Sequence, residues 1–100
     1  MKVFHGFNEL LKAYQVLGVS GIHTKLEFVN NSREDILNGI FYVPENEDED
    51  EECENTLEMW LETQIFEDIV DNKLTHHPDA SLDDLLEAVI YYLEKDCFLD

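Results

Sequence analysis

Two hydrophobic periodicities follow one another in the first thirty residues. Between residues 7 and 17 an apolar residue recurs every three or four positions, at Phe7, Leu10, Leu11, Tyr14 and Leu17. This spacing predicts a helix over residues 7–17, with Gly18 as its C-terminal cap. Apolar and polar residues then alternate strictly from residue 22 to residue 28, which predicts a half-buried strand.

The middle of the chain changes pattern over short distances. Ser32 and Asp35 have the spacing of a helix cap, so we expect a short helical turn that ends at Gly39. The segment "GIFYVP" predicts a second short strand, stopped by Pro44. Residues 56–62 fit either a strand or a helix, and we favour a strand to about residue 61. In that interpretation Thr63 caps a new helix over residues 64–74.

The final helix has the clearest signature. Ser81 and Asp84 form a capping box, and one apolar face follows at Leu82, Leu85, Leu86, Val89, Ile90 and Leu93. Short strands mixed with such helices are typical of the α+β class. We therefore expect residues 1–100 to form a small single α+β domain with three main helices and a short two- to three-stranded sheet.

Charge divides the chain into two unequal parts. The net charge is −18, and residues 1–44 contribute nothing to it because four acids balance four bases. Residues 45–100 hold twenty acids and only two bases, Lys73 and Lys95. A strongly negative face repels nucleic acid and anionic membranes and attracts basic proteins.

The densest acidic run falls in "PENEDEDEECEN", where eight of the ten residues from Glu45 to Glu54 are acids. Adjacent like charges about 4 Å apart repel by about 1 kcal/mol each even in bulk water. We therefore expect an exposed, solvated acidic loop at about residues 45–55.

Catalytic and metal-binding patterns are missing from the sequence. Cys53 lies within the acidic run, where negative neighbours disfavour its thiolate, and Cys97 follows an apolar helix, which predicts a packed side chain. His76 and His77 are adjacent and point in different directions, so they do not make a metal site. We expect no enzyme activity, no cofactor and no bound metal.

The expected location is the cytoplasm, with no membrane contact. No apolar run reaches the roughly 20 residues that span a bilayer, and the start "MKVFHGFNEL" lacks the small-residue cleavage site of a signal peptide. Basic patches with interleaved aromatic residues, which bind nucleic acid, are also missing.

One resemblance carries the functional expectation. From Ile65 onward the segment "IFEDIVDNKLTHHPDASLDDLLEAVIYYLEKDCFL" resembles small acidic immunity proteins of contact-dependent growth inhibition systems. The shared pattern is "DIV-N" followed by "P-DAS-L--LLEA--YY-E-D-F". The resemblance implies a cytosolic antidote that binds a cognate toxin domain as a monomer in a one-to-one complex. Many such toxins are nucleases with basic active clefts, which an acidic chain would complement.

The candidate partner-binding residues are mainly acids. They comprise Glu45, Glu47, Asp48, Glu49, Asp50, Glu51 and Glu52 of the acidic run, Glu67, Asp68 and Asp71 on the outward face of the predicted helix 64–74, and Trp60. Trp60 is included because tryptophan is frequent at interface hot spots, although it also fits a core position.

Two alternative functions remain open. The chain could imitate nucleic acid and inhibit DNA-binding proteins in general, or it could be an acidic, non-catalytic interaction subunit whose acidic loop keeps it monomeric. An immunity protein recognises one toxin, whereas a mimic would bind many basic proteins.

Overall fold

The computed structural model describes residues 1–18, 20–25 and 32–98. The elements of this part are, in chain order, β1 (Lys2–His5), α1 (Phe7–Lys12), β2 (Gly21–Thr24), α2 (Arg33–Asn38), β3 (Ile40–Val43), α3 (Glu47–Thr56), β4 (Glu58–Glu62), α4 (Thr63–His76) and α5 (Leu82–Lys95). The expected α+β class is confirmed. The described residues form five helices and a four-stranded sheet, rather than three helices and two or three strands.

The sheet is antiparallel and has the strand order β1-β3-β2-β4. The strands β1 and β4 are therefore its two edges. On β4, Leu61 pairs with Ile22 and Met59 pairs with His23, so Trp60 is an extra residue that forms a β-bulge. The bulge explains why the neighbouring residues Trp60 and Leu61 are both buried in one strand.

An aromatic cluster joins the sheet to the helices. The ring centroids of Phe41 and Trp60 are 4.8 Å apart, and those of Trp60 and Phe66 are 6.1 Å apart. Phe7 of α1 meets Phe66 of α4 edge-on, with centroids 6.1 Å apart. Burying rings of this size contributes much of the hydrophobic stabilisation of a small domain. Trp60 is therefore central to the core.

The first strand was not predicted from the sequence. Four residues, Lys2 to His5, are too few to show a periodicity, and β1 forms by pairing with β3, about forty residues further on. The predicted helix over residues 7–17 is shorter than expected, because α1 ends at Lys12 and turns follow it. Leu17 is buried as the apolar stripe predicted, although it lies outside the helix.

The acidic run is a helix, and the prediction of a solvated loop at residues 45–55 is wrong. The Asn46 side chain accepts a hydrogen bond from the Glu49 N–H, which caps α3, and four acids occupy its first turn, where the helix dipole favours negative charge. Successive side chains of a helix also point about 100° apart, and solvent screens the exposed carboxylates. The repulsion of about 1 kcal/mol between adjacent acids, from which the loop was predicted, was therefore too large an estimate.

Most of the other local signals are confirmed. Ser32 caps α2 through the Asp35 N–H, and Ser81 and Asp84 form the predicted capping box of α5. The favoured strand before residue 62 is present as β4. Thr63, however, does not cap α4, because Glu62 holds the cap position and Thr63 is the first helical residue. Residues 26–28 of the strand predicted over 22–28 lie outside the described residues.

Among the described residues, no helix is both long enough and apolar enough to cross a membrane.

The capping of α3 gives a direct test of its helical state. We expect Asn46→Ala to lower the free energy of unfolding by about 1 kcal/mol, because the Glu49 N–H loses its acceptor. The measurement is urea denaturation followed by circular dichroism. Asn55→Ala is the matched control, since Asn55 is an exposed residue near the other end of α3. Equal stability of the two variants would show that residues 47–56 are not held as a helix.

Candidate functional site

The helix α3 has one face toward the protein and one toward solvent. Its inward stripe consists of the half-buried Glu49 and Asp50 and the fully buried Cys53. Five acids of α3 are exposed: four of them, Glu47, Asp48, Glu51 and Glu52, lie on the opposite side, and Glu54 lies at its flank. The spacing of i, i+1, i+4 and i+5 places these four on one side of the helix. The acidic run therefore presents a fixed carboxylate face.

Glu49 has a structural role. One of its carboxylate oxygens, Oε2, lies 2.7 Å from the N-terminal amine of Met1, and Oε1 accepts a hydrogen bond of 2.9 Å from the Glu45 N–H. The bond to the N-terminal amine lowers the pKa of Glu49, and the same contact raises the pKa of the amine. Glu49 therefore remains ionised and holds α3 beside β1, which makes it less available to a partner than the outward acids.

A second group of acids lies in the middle of α4. Asp68 and Asp71 are exposed, and Glu67 is half-buried. The Tyr14 hydroxyl donates a hydrogen bond of 3.1 Å to Asp71 Oδ1. Partial burial and the Asp71 carboxylate together raise the pKa of Tyr14, so its hydroxyl keeps the proton that it donates. This bond ties the end of α1 to the acidic face of α4.

Gly18 and Ser20, in the segment after α1, contact the first residue of α4 and adjoin α3. The Thr63 hydroxyl, at the start of α4, donates to the Gly18 carbonyl at 2.7 Å and accepts from the Ser20 N–H at 3.0 Å. On its other side, the same segment and α3 enclose a cleft of about 470 Å³ whose walls include Gly18, Ser20, Glu47 and Asp50. Thr63 therefore fixes the segment that both acidic helices adjoin.

We use the name acidic surface for two sets of acids. They are Glu47, Asp48, Glu51 and Glu52 of α3 and Glu67, Asp68 and Asp71 of α4. Elsewhere acids have basic partners, since Arg33 contacts Asp83 at 3.1 Å and Glu87 at 3.2 Å on α5. Across residues 1–18, 20–25 and 32–98, no ion pair involves the four outward acids of α3. Among the described residues, these four carboxylates therefore face solvent without an internal counter-ion, unlike Glu49 of the same helix.

Four residues that the sequence analysis singled out lie outside the acidic surface. Trp60 is only 7% exposed and packs in the aromatic cluster, so the structure favours its core interpretation over an interface anchor. Cys53 is buried, and burial followed by the neighbouring Asp50 and Glu52 raises its thiol pKa, which opposes thiolate formation. Cys97 is exposed, so the prediction that it packs is wrong. Glu45 is exposed and precedes α3.

Two features of this site were missed in the sequence. The spacing of Asn46 and Glu49 is a helix-cap signal that the prediction of a loop, made from charge repulsion alone, did not include. The contact between α3 and the N-terminal amine joins residues 48 positions apart and has no local sequence signal. The described residues also contain no group of three or more His, Cys, Asp or Glu side chains that could hold a metal ion.

We compared the chain with known protein families. Residues 22–100 match the model of a family described as Domain of unknown function (DUF7716). The chain belongs to this family. The DUF7716 region runs from β2 to α5 and so contains every residue of the acidic surface, whereas β1 and α1 precede it. No curated protein and no solved structure matches the chain significantly.

The position of the segment between α1 and β2 depends on Thr63, which gives the next prediction. We expect Thr63→Val to lower the free energy of unfolding by about 1–3 kcal/mol, because the Ser20 N–H loses its acceptor while the side-chain shape is kept. Thermal or urea unfolding measures the change. Thr75→Val, at an exposed position of the same helix, is the control and should change stability by less than about 0.5 kcal/mol. Equal stability of the two valine variants would contradict a stabilising role for the Thr63 hydroxyl.

Proposed function

We propose that the chain is an immunity protein that binds a cognate toxin domain and neutralises it by covering its active cleft. The observation that carries this proposal is the acidic surface, whose outward α3 acids have no ion-pair partner among the described residues. The resemblance of residues 65–99 to immunity proteins supports the same class. The DUF7716 match identifies a family and assigns it no activity.

The charge of the surface favours a basic nuclease as the toxin. A nuclease must hold phosphate groups in its cleft, and it does so with lysine and arginine side chains. A carboxylate face of the opposite sign attracts such a cleft over about one Debye length, roughly 8 Å at physiological ionic strength. Association can then exceed the 10⁵ to 10⁶ M⁻¹s⁻¹ that is typical without electrostatic attraction.

The helical state of the acidic run strengthens this proposal. A disordered loop would lose conformational entropy on binding, which reduces affinity. The Asn46 cap and the Glu49 contact already hold α3 in the free chain. The four outward carboxylates therefore meet a partner at fixed spacing, and fixed spacing favours one complementary pattern of basic groups over others.

The competing function is a nucleic-acid mimic that inhibits DNA-binding proteins in general. A row of carboxylates on one helix face is also what a phosphate mimic would need. The two functions differ in breadth, because an immunity protein should retain one toxin domain strongly and unrelated basic proteins weakly. Pull-down of the chain against the adjacent toxin domain and a panel of DNA-binding proteins separates them.

The proposed role of α3 predicts a kinetic effect. We expect the quadruple variant Glu47→Gln, Asp48→Asn, Glu51→Gln and Glu52→Gln to associate several-fold more slowly with its toxin at low salt, and raised salt should remove the difference. The proposal requires that the gene immediately upstream encode a large secreted protein, and the partner in this assay is a catalytically inactive form of that protein's C-terminal domain. Surface plasmon resonance at two ionic strengths provides both rate constants.

The matched control removes four exposed acids outside the acidic surface: Glu9→Gln, Glu34→Gln, Asp79→Asn and Glu94→Gln. Both quadruple variants change the net charge from −18 to −14. Faster dissociation of the α3 variant alone, at a cost of about 2–5 kcal/mol, would indicate that α3 is buried in the toxin cleft. Identical rate constants for the two variants would contradict a role for α3 in binding.

A further inference from the structure

The strand β4 is an open edge of the sheet. Within the described part of the chain it pairs with β2 alone, and its other side has no partner strand. Proteins protect such edges with proline, charged side chains or β-bulges. The five residues of β4, Glu58 to Glu62, include no proline and no lysine, and their protection against other copies of the chain consists of the two glutamates and the bulge at Trp60. Met59 is 56% exposed in the middle of this edge.

An apolar cleft lies directly beside this edge. It has a volume of about 370 Å³, and its walls include Met59 of β4, Ile65 of α4, and Tyr92 and Leu93 of α5. The ring of Phe98, which is 42% exposed, lies 5.7 Å from that of Tyr92. Met59 and Phe98 are two of the four large hydrophobic residues that the described surface exposes. Contiguous exposed apolar groups of this kind mark interaction sites.

Acidic residues border the same edge. Glu58 and Glu62 are exposed at the two ends of β4, and Asp96 lies at the rim of the cleft. A strand that paired with β4 would place its own side chains next to these carboxylates. Cross-strand pairs of opposite charge stabilise a sheet, and like charges directly opposite destabilise it. The edge therefore selects for basic residues at both ends of an incoming segment.

A second copy of this chain fits the edge poorly. If two β4 strands paired antiparallel about Trp60, Glu58 of each copy would lie opposite Glu62 of the other. Both acidic pairs would then be like-charged, and each copy carries a net charge of −18. The charges thus favour a different protein as the occupant.

We propose that the β4 edge binds an extended segment of a basic partner protein, which adds a fifth strand to the sheet. Lysine or arginine of that segment pairs with Glu58 and Glu62, and an apolar residue between them packs on Met59 at the mouth of the cleft. Backbone hydrogen bonds supply affinity in this mode, and the alternating side chains supply specificity. Only the identity of the partner as a toxin rests on the proposed function.

The test uses a synthetic probe, a heptapeptide of alternating lysine and valine with both ends blocked. We expect its titration into the ¹⁵N-labelled full chain to shift the amide signals of residues 58–62 and those around Tyr92. Two control peptides should not produce these shifts: the same peptide with glutamate in place of lysine, and the same peptide with proline at its centre, which cannot donate to the edge.

A matched pair of variants of the chain separates the edge from general charge attraction. Met59→Lys should weaken binding of the lysine–valine peptide by about tenfold or more, since it places a base at the centre of the edge. Val16→Lys makes the same change of charge at another exposed apolar residue, 67% exposed, and should leave binding near that of the parent.

Equal weakening by the two variants, shifts centred on α3, no binding, or undiminished binding of the proline peptide would each overturn the proposal. The toxin is not needed for this assay, so a failure here leaves the proposed function standing. Conversely, a chain that binds the peptide at β4 but does not bind the adjacent toxin domain would refute the proposed function alone.

Discussion

Repulsion among the twenty acids of residues 45–100 is the constraint to which the rest of this structure conforms. The chain satisfies it by placing most of these acids on the solvent faces of three helices, α3, α4 and α5. In α3 and in α5, a few groups on the inner side of the helix hold it in place. On α3 these groups are the Asn46 cap, the Glu49 contact with the N-terminal amine, and buried Cys53. On α5 the capping box and a wide apolar face serve the same purpose.

Some acids of the described residues form ion pairs within the chain and others do not, and the proposed binding site is assigned to the acids that do not. Arg33 lies between two acids of α5, whereas the outward acids of α3 have no such contact in the part of the chain that the structure describes. Thr63 also contributes, because its hydroxyl holds Gly18 and Ser20 beside the start of α4. A partner with a basic cleft would therefore gain most from contact on the α3 and α4 side of the molecule.

Local signals in the sequence were sufficient for the elements that local interactions specify. The caps at Ser32 and Ser81 and the apolar stripe of α5 depend on residues three or four positions apart, and each was predictable. The strand β1 and the docking of α3 depend on partners about forty or more positions away, so no periodicity indicated them. The acids of the candidate site were evident from composition, but their placement on a helix was not, because Cys53 is the one buried residue of α3.

The central claim is that a basic toxin binds the exposed acids of α3 and α4. Hydrogen–deuterium exchange of the chain, alone and in complex with the inactive toxin domain, tests it most directly because the exchange rates report on each helix separately. The account predicts that exchange slows in residues 45–56 and 63–71, while the α5 residues around Asp83 and Glu87 are unchanged. Slower exchange in α2 and α5, with α3 and α4 unaffected, would contradict it.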